Sequence, residues 1–278
     1  MYYKNQNLSG WGRNSYSKSN IFEPLMESQI RGVIQESSKN SLITRGLGRA
    51  YGDSAQLDQE TVISLKNFNA ITIDKNKKEL TAQGGVSFDE ILSIIIPAGF
   101  FLPVSPGTRY VTVGGAIAAD VHGKNHHKDG TFGKNVKRLL LMDGNGELIE
   151  LVQNDENEEN RMKFWATVGG MGMTGVILEA TFSLIPISSS FISVNTTRYE
   201  NLDDLMNNMI QSDKNYRYSV AWVDSLNKNF RGVLTSGNHA SIDILPKELH
   251  NKALEFNLRS IGKTPNKIPG GLLNQLTV

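Results

Sequence analysis

An α+β fold is predicted by three features of this 278-residue chain. Helix-like and strand-like stretches alternate up to about residue 100, as in a small α/β unit. A β-hairpin signature surrounds Gly144-Asn145-Gly146. Glycine is unevenly placed: of 26 glycines, 18 lie from Gly46 to Gly175, so this part is built for close backbone approaches.

Residues 21–39 are predicted to be a helix, because Ile21, Leu25, Met26, Ile30, Val33 and Ile34 recur at near-helical spacing. Residues 41–44 read as a short buried strand feeding a glycine turn. Residues 61–65, 70–74 and 79–83 are strand-like, the last ending at Gly84-Gly85. Residues 88–96 form a helix stopped by Pro97 and Gly99. After the turn signal Pro106-Gly107, a helix opens at Gly114-Gly115 and runs to Asp120. Residues 136–143 and 147–152 are the hairpin strands, 161–168 a short helix, and 176–185 a strand ending before Pro186. A strand over 191–196, an amphipathic helix over 202–211 and a strand over 216–223 follow. After Gly237 the pattern fades, and Gly270-Gly271 to Val278 carries no closing signal. The expected domains are 1–186, with subdomains at about 18–100 and 101–186, and an incomplete domain at 187–278.

Composition narrows the function classes. Hydrophobic residues at 39% and charged residues at 21% are ordinary for a soluble globular protein. Lys+Arg 29 against Asp+Glu 28 leaves a net charge of +1, which gives no support for broad nucleic-acid or anionic-membrane binding. The absence of cysteine excludes disulfides, thiolate nucleophiles and Cys-ligated metals, and fits a cytosolic protein. The N-terminus is polar and aromatic, without the apolar core of a secretory signal. The longest apolar run, 91–104, is broken by Ser93, Pro97 and Gly99 and is too short to span a bilayer. The acidic run 155–159 is expected to be a solvated loop.

The chemistry concentrates in Thr44-Arg45-Gly46-Leu47-Gly48-Arg49-Ala50-Tyr51-Gly52-Asp53. A glycine-rich turn after a strand can point several N–H groups at one place, a nest for an anion such as phosphate. A second cluster, Thr112-Val113-Gly114-Gly115-Ala116, and a third, Gly169-Gly170-Met171-Gly172, suggest a bound dinucleotide rather than unrelated turns. The first turn fails the Rossmann fingerprint, because Gly46, Gly48 and Gly52 have the wrong spacing and no clear helix follows. No Gly-Lys-Ser/Thr follows either, so it is not a P-loop. Three histidines, His122, His126 and His127, sit together, but flanking lysines and Gly123 make a metal site the weaker reading. At least one of His126 and His127 is expected in a polar surface loop, and His122 is the best site candidate. Tyr51 is either a packed turn aromatic or a neighbour of a cofactor ring. Trp165 and Trp222 read as core or pocket wall.

The block 45–53, the block 106–127 and the block Phe164-Trp165-Ala166-Thr167-Val168-Gly169-Gly170 together resemble, in order, the flavoprotein family of vanillyl-alcohol-oxidase type. Within it they resemble the branch that oxidises polyprenyl-phosphoryl riboses. The resemblance implies a PCMH-type FAD-binding domain in two subdomains, followed by the start of an α+β substrate domain. FAD would lie between the subdomains, its pyrophosphate at the 45–54 loop and the 112–116 turn. The implied cofactor contacts are Arg45, Gly46, Leu47, Gly48, Arg49, Ala50, Tyr51, Gly52, Asp53, Ser54, Gly107, Thr112, Val113, Gly114, Gly115, Ala116, His122, Gly123, Lys124, Asn125 and Ile177. Tyr51, His122 and Lys124 would be the catalytic group, Trp222 part of the substrate pocket wall, and no metal is implied. Relatives with covalent flavin often carry a histidine about where Arg49 sits, so FAD is expected to be non-covalent.

The implied reaction oxidises a secondary alcohol on a sugar, the 2-OH of a polyprenyl-phosphoryl ribose. It would give a 2-keto intermediate for arabinose-donor and cell-wall synthesis. An NAD(P)H-dependent reductase would be the partner that takes the product. The expected place is the cytoplasm, with peripheral contact at the inner membrane face, and no nucleic-acid partner is expected. Two other readings stay open: an aldonolactone or alditol-type oxidase, and a non-catalytic flavin-binding fragment. The last follows from the family's C-terminal segment, which these residues do not include, so the chain is expected to be truncated.

Overall fold

Neighbouring strand residues point to opposite faces, so a strand whose successive residues are all buried must be covered on both sides. Val62 and Ile63 on β4 (Thr61–Ser64) are both fully buried. In the computed structural model, which describes residues 3–37 and 41–256, β4 is an inner strand of a four-stranded sheet. The sheet order is β1 (Tyr3–Leu8), β2 (Ser17–Phe22), β4, β3 (Leu42–Arg45). β1 and β2 pair antiparallel, whereas β2 and β3 both run parallel to β4. Leu8, Ile21 and Val62, with Ile43 and Leu57, form a small core on one face. Phe22 and Ile63 belong to a larger core with Ile30, Val33 and Ile34 of α1 (Glu27–Glu36).

That larger core also takes in Met142, Val176 and Leu178 of a second, wholly antiparallel sheet. Its order is β5 (Ile71–Asp74), β6 (Glu79–Gln83), β10 (Val176–Ser183), β8 (Val136–Met142), β9 (Leu148–Val152). Phe132 meets Phe88 of α2 (Phe88–Ile95) and Phe182 of β10, with ring centroids 5.1 Å apart in both pairs. Ser87 and Glu90 close a capping box on α2. β7 (Phe100–Phe101) pairs with β11 (Ile185–Pro186). Three further helices, α3 (Val113–Ala118), α4 (His126–Asp129) and α5 (Glu158–Thr167), complete this unit.

The chain divides into two units between Ile187 and Ser188. The second unit is a sheet of order β12 (Ile192–Tyr199), β14 (Gly232–His239), β13 (Tyr218–Val223), all antiparallel. Helix α6 (Leu202–Ser212) lies on the face carrying Leu234 and Ser236. Ser212 Oγ donates to Ser236 Oγ at 2.7 Å, and Leu205 is buried beside Gly232. Among the described residues no helix is long and apolar enough to cross a membrane.

The hairpin β8–β9, β6 and α2 lie where the sequence pattern puts them. The helix expected over 21–39 does not: Ile21 and Phe22 finish β2, and the helix begins at Glu27. Pro24 supplies no N–H and drives Glu23 to an extended backbone, so the apolar spacing runs across two elements. Residues 38 and 39 of that stretch lie outside the described residues. Helix α5 starts at Glu158, because the Asn157 side chain accepts the amides of Glu159 and Asn160. The end of the acidic run is therefore a helix start rather than a loop. The sheets divide near residue 70 rather than 100, since β5 and β6 pair into the second sheet. Strand β14, central in its sheet, escaped the sequence pattern because glycine, serine and threonine interrupt its alternation. The closing residues 270–278 lie outside the described residues.

Candidate cofactor site

Strand β3 ends at Arg45, whose side chain turns back under the loop that follows. Its Nη1 donates to Ala55 O at 2.8 Å and its Nη2 to Ser9 O at 2.7 Å. The guanidinium thus closes the loop 46–55 upon itself. Gly48 sits at φ +63°, and a β-carbon there would overlap Arg45 Nη2, so glycine is required twice over. Burial, and then the like charge of Arg49, lowers the Arg45 pKa. Arg49 is exposed and spends one hydrogen bond on Leu47 O at 3.0 Å.

Among the described residues, no amide in 47–53 donates to a protein acceptor. Most of these residues are exposed, and no atom lies within 4 Å of where a Gly52 β-carbon would be. Unspent N–H groups beside an exposed guanidinium are a donor set for an anion.

The second glycine cluster behaves differently. Val113 N–H donates to Val86 O at 2.8 Å, Gly114 N–H to Gly84 O at 2.9 Å and Ala116 N–H to Thr112 O at 2.8 Å. Gly115 N–H goes to the Thr112 Oγ1 cap at 3.1 Å. All four donors are spent, so the 112–116 turn offers no anion nest. Its glycines serve close approach instead: a Gly46 β-carbon would overlap Thr112 Oγ1, and a Gly114 β-carbon would lie 3.1 Å from Gly84 O. Val113 and Ala116 of α3 are themselves fully buried.

Between the loop and α3 lies a cavity of about 230 Å³. Of the residues expected to touch a cofactor, Arg45, Gly46, Leu47, Gly48, Arg49, Ala50, Ser54, Thr112, Gly114, Gly115 and Ile177 line it. Sequence reasoning missed Thr44, Ala55, Leu65, Gly84, Val111, Ala118, Ala119 and Val121. The third cluster also contributes, through Met171 and Gly172, and Gly175 lies just beyond it. It is fastened to the end of α3 by Gly169 N–H to Ile117 O at 2.9 Å and Met171 N–H to Ala118 O at 2.8 Å. The glycine run was a visible signal for Met171 and Gly172; the apolar lining residues had none.

Tyr51, Gly52, Asp53, Gly107, His122, Gly123, Lys124 and Asn125 do not line the cavity. Tyr51 is 73% exposed and meets Trp11 edge-on, with centroids 5.4 Å apart. His122 is exposed, bridges to Thr131 and packs against the His126 ring at 5.3 Å. Asn125 is buried: its Nδ2 donates to Pro103 O at 2.7 Å and Asp129 Oδ2 at 2.6 Å, pinning the loop that carries His122 and Lys124. Trp165 is exposed and not core, its neighbour Phe164 being the buried one. Trp222 belongs to the second unit, 55% exposed and paired in register with Val233 on the sheet face away from α6. Among the described residues no group of three His, Cys, Asp or Glu could hold a metal ion.

Residues 19–152 match the family described as FAD binding domain. The chain is 37% identical to the decaprenylphosphoryl-beta-D-ribose oxidase of Mycolicibacterium smegmatis, over 97% of this chain and 60% of that protein. It is 26% identical to the L-gulonolactone oxidase of Mus musculus, over 72% of this chain and 46% of that protein. It is 25% identical to the D-lactate dehydrogenase of Anaerostipes hadrus, over 66% of this chain and 40% of that protein. The chain therefore spans at most 60% of the length of these relatives.

Proposed function

We propose that this chain is a flavoprotein whose FAD-binding domain is of the PCMH, vanillyl-alcohol-oxidase type, and that the glycine cleft holds FAD non-covalently and serves the oxidation of a secondary alcohol on a sugar. The observation that carries this reading is the loop 47–53, whose amides are unspent and stand beside Arg49. Those N–H groups and the guanidinium would oppose the charge of a pyrophosphate. Gly46, Gly114 and Gly115 leave the cleft wall bare, so a ligand can approach the backbone closely. Leu65, Val111, Val121 and Ile177 supply apolar wall that would exclude water. FAD bound there would supply the acceptor for a hydride from the carbinol carbon.

His122 and Lys124 share one exposed loop that Asn125 pins from below. In this reading the His122 imidazole takes the hydroxyl proton, and the Lys124 ammonium draws the phosphorylated end of the substrate. Tyr51 would stand beside the flavin ring, and Trp222 on the substrate side. We propose the 2-OH of a polyprenyl-phosphoryl ribose as the oxidised group, supported by the 37% identity to an oxidase named for such a substrate. The 2-keto product would then need an NAD(P)H-dependent reductase on the way to an arabinose donor. Such a lipid would be met from the membrane surface.

The likeness to L-gulonolactone oxidase favours a second substrate class, the sugar lactones. Anaerobic visible spectroscopy of the purified chain with added FAD separates the two. Bleaching of bound flavin by a polyprenyl-phosphoryl ribose, and not by free aldonolactones, is the expected result. The reverse preference would replace the lipid by a soluble sugar. Bound flavin that neither compound bleaches would make this chain a flavin-binding piece without turnover.

A further inference from the structure

Residues 9–12 run beside the cofactor loop and grip it at several points. Trp11 N–H donates to Ala50 O at 2.7 Å, and Gly12 N–H donates to Tyr51 O at 3.1 Å. Ser9 O accepts Arg45 Nη2 from beneath the same loop. The Trp11 ring stands edge-on to the Tyr51 ring, at an interplanar angle of 88°. The approach is too close for side chains at two positions. A β-carbon on Gly10 would overlap Gly52 O and lie 2.7 Å from Ala50 O, and one on Gly12 would lie 2.5 Å from Tyr51 O. Neither glycine has a positive φ, so proximity to the loop is the reason for glycine at both.

The grip has a consequence for the amides. In a trans peptide the C=O and the following N–H point in opposite directions. The Ala50 and Tyr51 carbonyls are both drawn toward residues 11 and 12. The N–H groups of Tyr51 and Gly52 are therefore turned away from residues 9–12. Without these contacts, two peptide planes of an exposed loop would be free to flip, and the orientation of its amides would have to be fixed when the ligand binds.

We propose that residues 9–12 are a positioning strap for the cofactor loop: the Trp11 and Gly12 amides fix the peptide planes that follow Ala50 and Tyr51 and so hold residues 45–50, which line the cleft, in the shape that receives FAD, and the Trp11 ring sets the Tyr51 ring. This rests on the placement of FAD at that loop. The strap is not a core element. Trp11 is 61% exposed and Tyr51 73%, so truncating Trp11 removes little buried surface and leaves the fold standing.

The test compares wild type with Trp11→Ala, Trp11→Phe and Gly10→Val. It reads FAD dissociation by flavin fluorescence, the visible spectrum of bound flavin, and hydrogen exchange at residues 11–12 and 47–53 with and without FAD. Trp11→Ala should raise the FAD Kd about tenfold, speed exchange of the amides of residues 11 and 12 in FAD-free protein and shift the bound-flavin spectrum. Trp11→Phe should restore most of each, and Gly10→Val should weaken FAD further than Trp11→Ala. An unchanged Kd, exchange pattern and spectrum in both Trp11→Ala and Gly10→Val overturn the strap while leaving FAD at the loop. Failure of Phe to restore them reduces Trp11 to a structural residue and also overturns it. A wild-type loop that FAD does not protect overturns the placement of FAD and the strap together. If Gly10→Val does not fold, Gly12→Ala, whose β-carbon would lie 2.5 Å from Tyr51 O, takes its place.

Discussion

Arg45 shows how a side chain's role can differ from what its neighbourhood in sequence suggests. It stands in a glycine-rich turn and reads as an anion contact, yet its two terminal nitrogens are committed to Ala55 O and Ser9 O. Ser9 is far away in sequence, so no local pattern could announce that bond. Arg49, four positions on, keeps its guanidinium exposed and is the better anion partner. Arg45→Lys keeps the charge but loses the planar fork, since one ammonium cannot satisfy both carbonyls in the same geometry. Urea unfolding should show a loss of about 2 kcal/mol, the scale of a hydrogen bond to a charged group in a partly buried site. Full stability in the lysine variant would mean that the fork does not hold the loop. Gly46 and Gly48, by contrast, were legible as glycines with a purpose, although the atoms they avoid, Thr112 Oγ1 and Arg45 Nη2, were not.

At the scale of elements, strands and helices with clean periodicity came through from sequence, and those depending on partners did not. The β8–β9 hairpin was readable because Gly144-Asn145-Gly146 separates two apolar runs. Its turn is fixed by Asp143, whose Oδ1 accepts the amides of Asn145 at 2.8 Å and Glu147 at 2.9 Å. Burial raises the pKa of Asp143, but these amides, the Asn145 side chain and the Gly146 amide together outweigh it and hold the pKa below its ordinary 3.8. The folded value is the lower one, so this stabilisation is present above 3.8 and is lost as pH falls through the folded value. An acid titration of stability should therefore fall less steeply below pH 3.8 in Asp143→Asn than in wild type. Identical acid limbs would remove Asp143 from that account. Helix α3 teaches the opposite lesson. Two glycines after a threonine look like an open N-terminus, but Gly84 and Val86, arriving from the end of β6, consume its donors. Donor supply was visible in sequence; donor use was not.

At the scale of the whole chain, the α+β class was legible from alternating elements, and the three glycine clusters from the sequence itself. Sheet membership was not, because it depends on pairings between distant strands: β5 and β6 join β8–β10, and β14 enters between β12 and β13. Those pairings bring the three glycine clusters to one cavity, where they do different work. The first keeps free amides, the second gives a bare close-packed wall, and the third closes the far side through Met171 and Gly172. A net charge of +1 provides no broad attraction for an anion, so in the proposed reading affinity for FAD arises locally at the loop and Arg49. Hydrogen exchange at residues 47–53 during a titration of the purified chain with FAD tests this most directly. The account predicts that these amides become protected in step with flavin binding while those of residues 113–116, already bonded, change little. Flavin that binds and leaves 47–53 exchanging freely, or no flavin binding at all, would contradict it.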